Sequence, residues 1–171
     1  MADSAITKKA LANSLKKLVC DLPFSKISIS DICDQCEMNR KSFYYHFKDK
    51  YDLVNRIFDT EFSEYSKNAD IGENTVSLLC AYLYKNSEYY KRIFRIEGQN
   101  SFRSHFFEFV QNLVVNTYNN SLSSTSDRLR VQFVTDGIVC AVERWMLDYD
   151  SMPPQQFSAL LCSIIENNNI R

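Results

Sequence analysis

A chain of 171 residues can bury a core without disulfide or metal staples, and with only three glycines and three prolines its apolar residues recur at helical spacing almost throughout. No run approaches the roughly 18 consecutive apolar residues of a spanning helix, and Met1–Ile6 lacks the basic start and apolar middle of a signal peptide, which sets membrane and export readings aside and predicts a cytoplasmic, all-α protein. The net charge of −1 divides unevenly: residues 1–50 carry nine Lys/Arg against six Asp/Glu (+3) and residues 51–171 eleven against fifteen (−4), so a nucleic-acid contact belongs at the N-terminal end.

The first helix is expected from about Thr7, whose hydroxyl would cap its free amides, with Ile6 and Leu11 placed as a hydrophobic staple. Its buried stripe would be Leu11, Leu15, Leu18, Val19 and Leu22, and Pro23 would end it. An extended connector follows, anchored by Phe24 and by Ile27 or Ile29, and Ser30 is the expected cap of a second helix from Asp31 to Gln35 or Cys36. Glu37 and Met38 make a turn, Asn39 caps a third helix to about Tyr45, and after a break at Phe47–Asp49 a long fourth helix carries Leu53, Val54, Ile57, Phe58, Phe62 and Tyr65. Beyond Gly72 the pattern predicts helices near 73–86, 88–96, 99–119, 126–149 and 154–167, with a polar loop at Asn119–Ser126 and Pro153 or Pro154 in the first turn of the last helix. The expected organisation is an N-terminal three-helix domain over residues 1–50 and a helical domain over residues 51–171, about nine helices in all.

Two short helices joined by so tight a turn make a helix-turn-helix. The stretch from Ile29 to Leu53 resembles the DNA-binding domain of the TetR family of bacterial regulators, in which a short turn precedes Ser or Asn, a basic residue, a small residue, Phe-Tyr, a His-Phe pair and a Lys ahead of a Leu. Those positions here are Asn39, Arg40, Ser42, Phe43, Tyr44, His46, Phe47, Lys50 and Leu53. The likeness covers about residues 6–55, and beyond it only the helix count and the long C-terminal pair agree. One position departs: the family often has Gly in the turn where this chain has Glu37, so the turn must avoid positive φ or bear strain.

A recognition helix must be short, polar and basic at its N-terminal end and anchored by apolar residues behind. Here Asn39, Arg40 and Lys41 stand at that end, Arg40 and Lys41 within reach of base edges or phosphates, while Ser42, Tyr44, Tyr45 and His46 continue the polar surface and Phe43 and Phe47 face the core. Ser30 at the second helix's start, Lys48 and Lys50 suit phosphate contacts that position rather than specify. The competing account packs Tyr44, Tyr45 and His46 into the small lobe and leaves the lysines as solvated charge.

Cys33-x-x-Cys36 has the spacing of half a zinc site, yet no second pair lies at finger spacing, so core packing is expected for it and no bridge among the six cysteines. His46 and His105 are far apart and accompany no nucleophile grouping or phosphate loop, so neither an enzyme nor a cofactor is expected. Gly137, inside a helix, predicts a close helix approach. The TetR resemblance implies an effector pocket among the C-terminal aromatics, whose lining residues stay unassigned. It also implies a dimer interface from the last two helices, with Val134, Gly137, Ile138, Ala141, Val142, Phe157, Leu160, Leu161 and Ile164 as candidates.

The expected function is a homodimeric TetR-type repressor on a near-palindromic double-stranded operator, its two recognition helices about 34 Å apart and its binding controlled by a small-molecule effector. A second reading keeps the head and replaces the effector with a coactivator protein, because Tyr44-Tyr-His-Phe-Lys-Asp-Lys-Tyr-Asp-Leu53 and Glu97-Gly-Gln-Asn-Ser-Phe102 resemble the DhaS-like branch of the family, associated with dihydroxyacetone kinase control. A third, a helical enzyme or adaptor with an accidental helix-turn-helix, has no catalytic grouping to support it.

Overall fold

The computed structural model describes residues 2–69, 74–98, 101–117, 124–148 and 152–167; Gly72, Tyr118 and most of the expected loop at 119–126 lie outside them. Nine α-helices and one 3-10 turn, Phe24–Lys26, are present among the described residues. The helices are α1 (Ala2–Asp21), α2 (Ile29–Asp34), α3 (Arg40–His46), α4 (Lys50–Lys67), α5 (Thr75–Lys85), α6 (Ser87–Ile93), α7 (Phe102–Thr117), α8 (Thr125–Leu147) and α9 (Pro154–Asn167). The all-α expectation and the order of its elements hold.

Local details differ, each for a physical reason. The strong helix formers Ala5, Lys8, Lys9 and Ala10 carry α1 back to Ala2, so Thr7 lies inside the helix and Ile6 is exposed rather than stapled to Leu11. Leu11, Leu15 and Val19 are buried, but Leu18 is half-buried and Leu22, past the helix end, is exposed. The second helix is capped by Ser28, not Ser30: Ser28 Oγ accepts from the Asp31 amide at 3.2 Å and Asp31 Oδ2 accepts from the Ser28 amide at 2.7 Å. That reciprocal box needs an acid three residues after the cap; Ser28 has Asp31 there, whereas Ser30 has Cys33.

Helices α1, α2 and α3 pack on one another as an N-terminal head, and α1 also meets α4 and α6. Helix α4 continues from the head into the body, where it packs on α5 and α7; the most extensive pairings join α7 to α8 and α5 to α9. Phe58, fully buried on α4, is the centre of the body: the rings of Phe62, Tyr82, Tyr90, Phe102, His105, Phe106 and Phe109 have their centroids 5.0–6.3 Å from its own, nearly all edge-on. Tyr65, expected in this stripe, is only half-buried.

The expected C-terminal interface divides. Val134, Val142 and Leu161 are buried in the protomer's own core, and Ile138, Ala141 and Phe157 pack half-buried against it, Phe157 stacked on Trp145 at 4.4 Å. Of the nine candidates, Gly137, Leu160 and Ile164 stay exposed, joined by Leu129 and Phe133. Gly137 was expected to permit a close helix approach, but a Cβ placed there would meet nothing within 4 Å. Periodicity tells which residues share a face, not which of two apolar faces the same chain covers.

Phe58→Ala should cost about 3–5 kcal/mol, because seven rings cannot collapse into the space it leaves. Denaturant unfolding measures this; a loss under about 1 kcal/mol would mean the ring cluster is not the body's main support.

Candidate nucleic-acid interface

The head presents α3 through two opposed sets of side chains. Phe43 and Phe47, one turn apart, are buried, with Phe43 fully enclosed. On the opposite side Lys41, Tyr44, Tyr45 and Lys48 are exposed, Tyr45 by 83% and Tyr44 by 51%, so neither tyrosine packs the small lobe. His46 is half-buried, its ring 4.8 Å from that of Tyr45 and 6.2 Å from that of Phe47. Arg40 is exposed and leans along the helix, Nη2 donating weakly to the Tyr44 hydroxyl at 3.4 Å with the guanidinium 5.9 Å from the ring.

Asn39 and Ser42 have local duties. Asn39 Oδ1 caps α3 by accepting from the Ser42 amide at 2.9 Å and from Ser42 Oγ at 3.3 Å. Ser30, half-buried in the first turn of α2, is not the cap but stays beside the helix start. The Ser28 amide, then its hydroxyl, holds the Asp31 carboxyl below the ordinary carboxylate range.

The turn between α2 and α3 is where Glu37 replaces the family's frequent glycine. Glu37 has φ of +54°, so the strained alternative is the one realised. The cause is the hydrogen bonding that ends α2: Met38 N–H donates to Cys33 O at 2.9 Å and Glu37 N–H to Asp34 O at 3.2 Å. That pair is the Schellman pattern, which requires a left-handed residue at this position. Cys33 is buried under the turn and half-buried Cys36 donates its thiol to Ile32 O at 3.4 Å, so both cysteines serve packing here.

Lys50 differs most from its expected role. Its ammonium donates to Phe24 O and Ile27 O, both at 2.7 Å, and lies 4.5 Å from the Phe24 ring centroid. Partial burial pulls its pKa below the ordinary lysine value, opposed by the Asp31 carboxylate. A phosphate contact would have to use its one remaining N–H, so its main work is to tie the 3-10 turn to the start of α4. At that start Asp49 caps the helix by accepting from the Tyr51 and Asp52 amides, and Asp52 accepts from the Lys48 backbone amide at 2.9 Å, while the Lys48 side chain is exposed. Sequence periodicity gave no signal for the Lys50 clamp, whose acceptors are backbone carbonyls 23 and 26 residues away.

A short helix anchored by two buried rings, carrying cations and tyrosines on its free side, and attached to an all-helical body, is the architecture of the helix-turn-helix regulators. Residues 21–57 match the family model described as bacterial regulatory proteins, tetR family, and residues 73–167 match the one described as transcriptional regulator C-terminal region. The chain belongs to the TetR family of transcriptional regulators.

Over 110 residues, 63% of this chain, it is 34% identical to the HTH-type dhaKLM operon transcriptional activator DhaS of Lactococcus lactis subsp. lactis; the match spans 57% of that protein's length. Three solved structures share the fold. The dihydroxyacetone kinase operon activator DhaS superposes with a TM-score of 0.70 at 23% identity, over 95% of this chain and 96% of that one. A TetR transcriptional regulator from Streptococcus agalactiae gives 0.71 at 15% identity, over 96% of each chain. NalD, the secondary repressor of the MexAB-OprM multidrug efflux pump in Pseudomonas aeruginosa, gives 0.62 at 16% identity, over 97% and 96%.

The strain at Glu37 is measurable. Glu37→Gly should raise stability by up to about 1 kcal/mol, since a left-handed residue with a Cβ costs roughly 1–2 kcal/mol and glycine's extra unfolded-state freedom returns part of the gain. A shift of the denaturation midpoint to lower denaturant would show instead that the Glu37 side chain stabilises the turn.

Proposed function

We propose that this chain is a homodimeric operator-binding regulator that inserts α3 into the major groove of near-palindromic duplex DNA, with the division between head and body near residue 50. The observation that carries this is the outward face of an anchored recognition helix: Lys41, Tyr44, Tyr45 and Lys48 exposed while Phe43 and Phe47 are buried behind them. Lys41 and Arg40 would meet bases or phosphates, Tyr44 and Tyr45 phosphates or a thymine methyl, and Lys48, Ser30 and Ser42 the backbone. Asn39 and Lys50 would act one step back, by capping the helix and fixing its mount. His46 would support Tyr45.

Pairing of two copies is supported by α8 and α9. A glycine inside a helix costs about 1 kcal/mol against alanine, and Gly137 has open space above it within its own protomer. It lies one turn beyond Phe133, which is 79% exposed, and two beyond Leu129, 66% exposed; on α9, Leu160 and Ile164 are half exposed. A second copy would cover such a face and give the glycine its close neighbour.

A second reading, control by a partner protein in place of an enclosed small effector, draws support from one feature of the body's packing. The apolar cavity between α5, α7, α8 and α9, lined by Leu79, Val110, Val114, Ile138 and Leu161 among others, holds about 40 Å³. Small-molecule pockets are ordinarily about 300–1,000 Å³, a size reached here by open clefts such as the one lined by Phe94, Arg103 and Glu143, about 610 Å³. Repression by occupying the operator, and activation of the kind named for the DhaS relative, are separated by a reporter gene placed behind the selected operator.

Selection of bound sequences from random duplex DNA at fixed salt tests the proposal. Wild type should enrich a near-palindrome, Lys41→Ala and Tyr44→Ala should each weaken binding roughly 10–100-fold, and Phe133→Asp should lower both dimer content and affinity. Enrichment of no sequence at low salt, or an unpaired half-site bound by a monomer, would contradict it. A small ligand that raises the melting temperature and releases DNA would overturn control by a partner.

A further inference from the structure

Side chains from α1 and α5 converge on one carboxylate of α4 at the junction of head and body, and α6 joins them through a tyrosine. Lys16 of α1 places Nζ 3.0 and 2.8 Å from the two oxygens of Glu61 on α4, and Tyr82 of α5 donates its hydroxyl to Glu61 Oε2 at 3.1 Å. A carboxylate only accepts and Tyr82 has a single hydroxyl proton, so buried Tyr90 of α6, 2.8 Å from Tyr82, must donate to it. The chain of bonds therefore runs from Tyr90 through Tyr82 to Glu61, which Lys16 closes from the head side. The same ammonium lies 5.7 Å from the ring centroid of Tyr89 on α6.

The arrangement differs in kind from the packing around it. Apolar contacts between α1 and α6 are non-directional and tolerate a small rotation, whereas charge-assisted bonds of 2.8–3.1 Å, with Lys16 and Glu61 only 26% and 29% exposed, do not. Lys16 belongs to the head, Tyr82 and Tyr90 to the body, and Glu61 to the helix common to both. It is not a surface ion pair of the sort that contributes little.

We propose that Glu61 is the positioning residue of the reading head: by joining Lys16 of α1 to Tyr82 of α5 it fixes the angle at which the helix-turn-helix leaves the body, and with it the half-site separation that a dimer accepts. The inference rests on the operator-binding reading above. One added base pair rotates a half-site by about 35° and moves it by about 3.4 Å, so a head held at a fixed angle discriminates strongly between spacings.

The test measures full-length protein against the selected operator, against the same operator with one base pair inserted or removed at its centre, and against a single half-site. Wild type should prefer the selected spacing by roughly tenfold or more, while Glu61→Gln and Lys16→Gln should reduce that preference to about threefold or less with half-site affinity held within about twofold. Tyr89→Phe serves as the control, because the Tyr89 hydroxyl is buried without a hydrogen-bond partner among the described residues; its spacing preference should equal that of wild type. The inference is overturned if both glutamine variants keep the wild-type preference, or if their half-site affinity falls in step with full-site affinity, which would place the damage in the recognition helix. Should Glu61→Gln not fold, Lys16→Gln decides alone. Wild type that binds its operator with no spacing preference overturns the positioning role and spares the DNA reading; wild type that selects no DNA overturns both.

Discussion

A helix of seven residues does not hold itself together in water, because the cost of nucleating it exceeds what so few hydrogen bonds return. Helix α3 persists because Phe43 and Phe47 are buried against the rest of the head, and because Asn39 caps one end. With those two rings fixed inward, helical geometry leaves Lys41, Tyr44 and Tyr45 no direction but outward, and Lys48, just past the helix end, is exposed beside them. The surface proposed to read DNA is thus a consequence of where two phenylalanines are buried, and everything that seats them serves that surface indirectly. The Schellman turn at Glu37, the Ser28–Asp31 box and the Lys50 clamp all do so.

Helix α4 joins that head to the body, and it is anchored at its start and at its middle by unlike means. At its start Lys50 and Asp49 use hydrogen bonds; further along, Phe58 sits in a shell of mostly edge-on aromatic rings. The proposed control by a partner protein would act at the surface of this body. Whatever acts there can shift DNA binding only through a difference in its affinity for the DNA-competent and incompetent arrangements, and the head–body junction at Glu61 is where those arrangements would part.

Much of this was legible in the sequence. The apolar spacing of Leu53, Val54, Ile57, Phe58 and Phe62 predicted α4, Asn39 announced the cap of α3, and the dense run from Asn39 to Leu53 carried the family likeness. What was not legible depended on distant partners. Lys50 looked like one more phosphate-binding lysine until its acceptors near Pro23 were in view, and no local pattern links Lys16 with Glu61 or with two tyrosines beyond residue 80. Val134, Val142 and Leu161 read as interface residues because a helix with two apolar faces does not declare which one its own chain will cover. The missed cap at Ser28 is a different case: the acid at Asp31 was a sufficient signal, since an acceptor three residues past the cap is what distinguishes Ser28 from Ser30.

Hydroxyl-radical footprinting of the protein on its selected duplex tests the central claim most directly. Two symmetric protected stretches on one face of the DNA, centred about one helical turn or about 34–36 Å apart, are the predicted result for a dimer reading with paired α3 helices. Diffuse protection that follows no sequence, or a single protected stretch, would contradict it, since the first is backbone attraction alone and the second leaves no place for a second reading head.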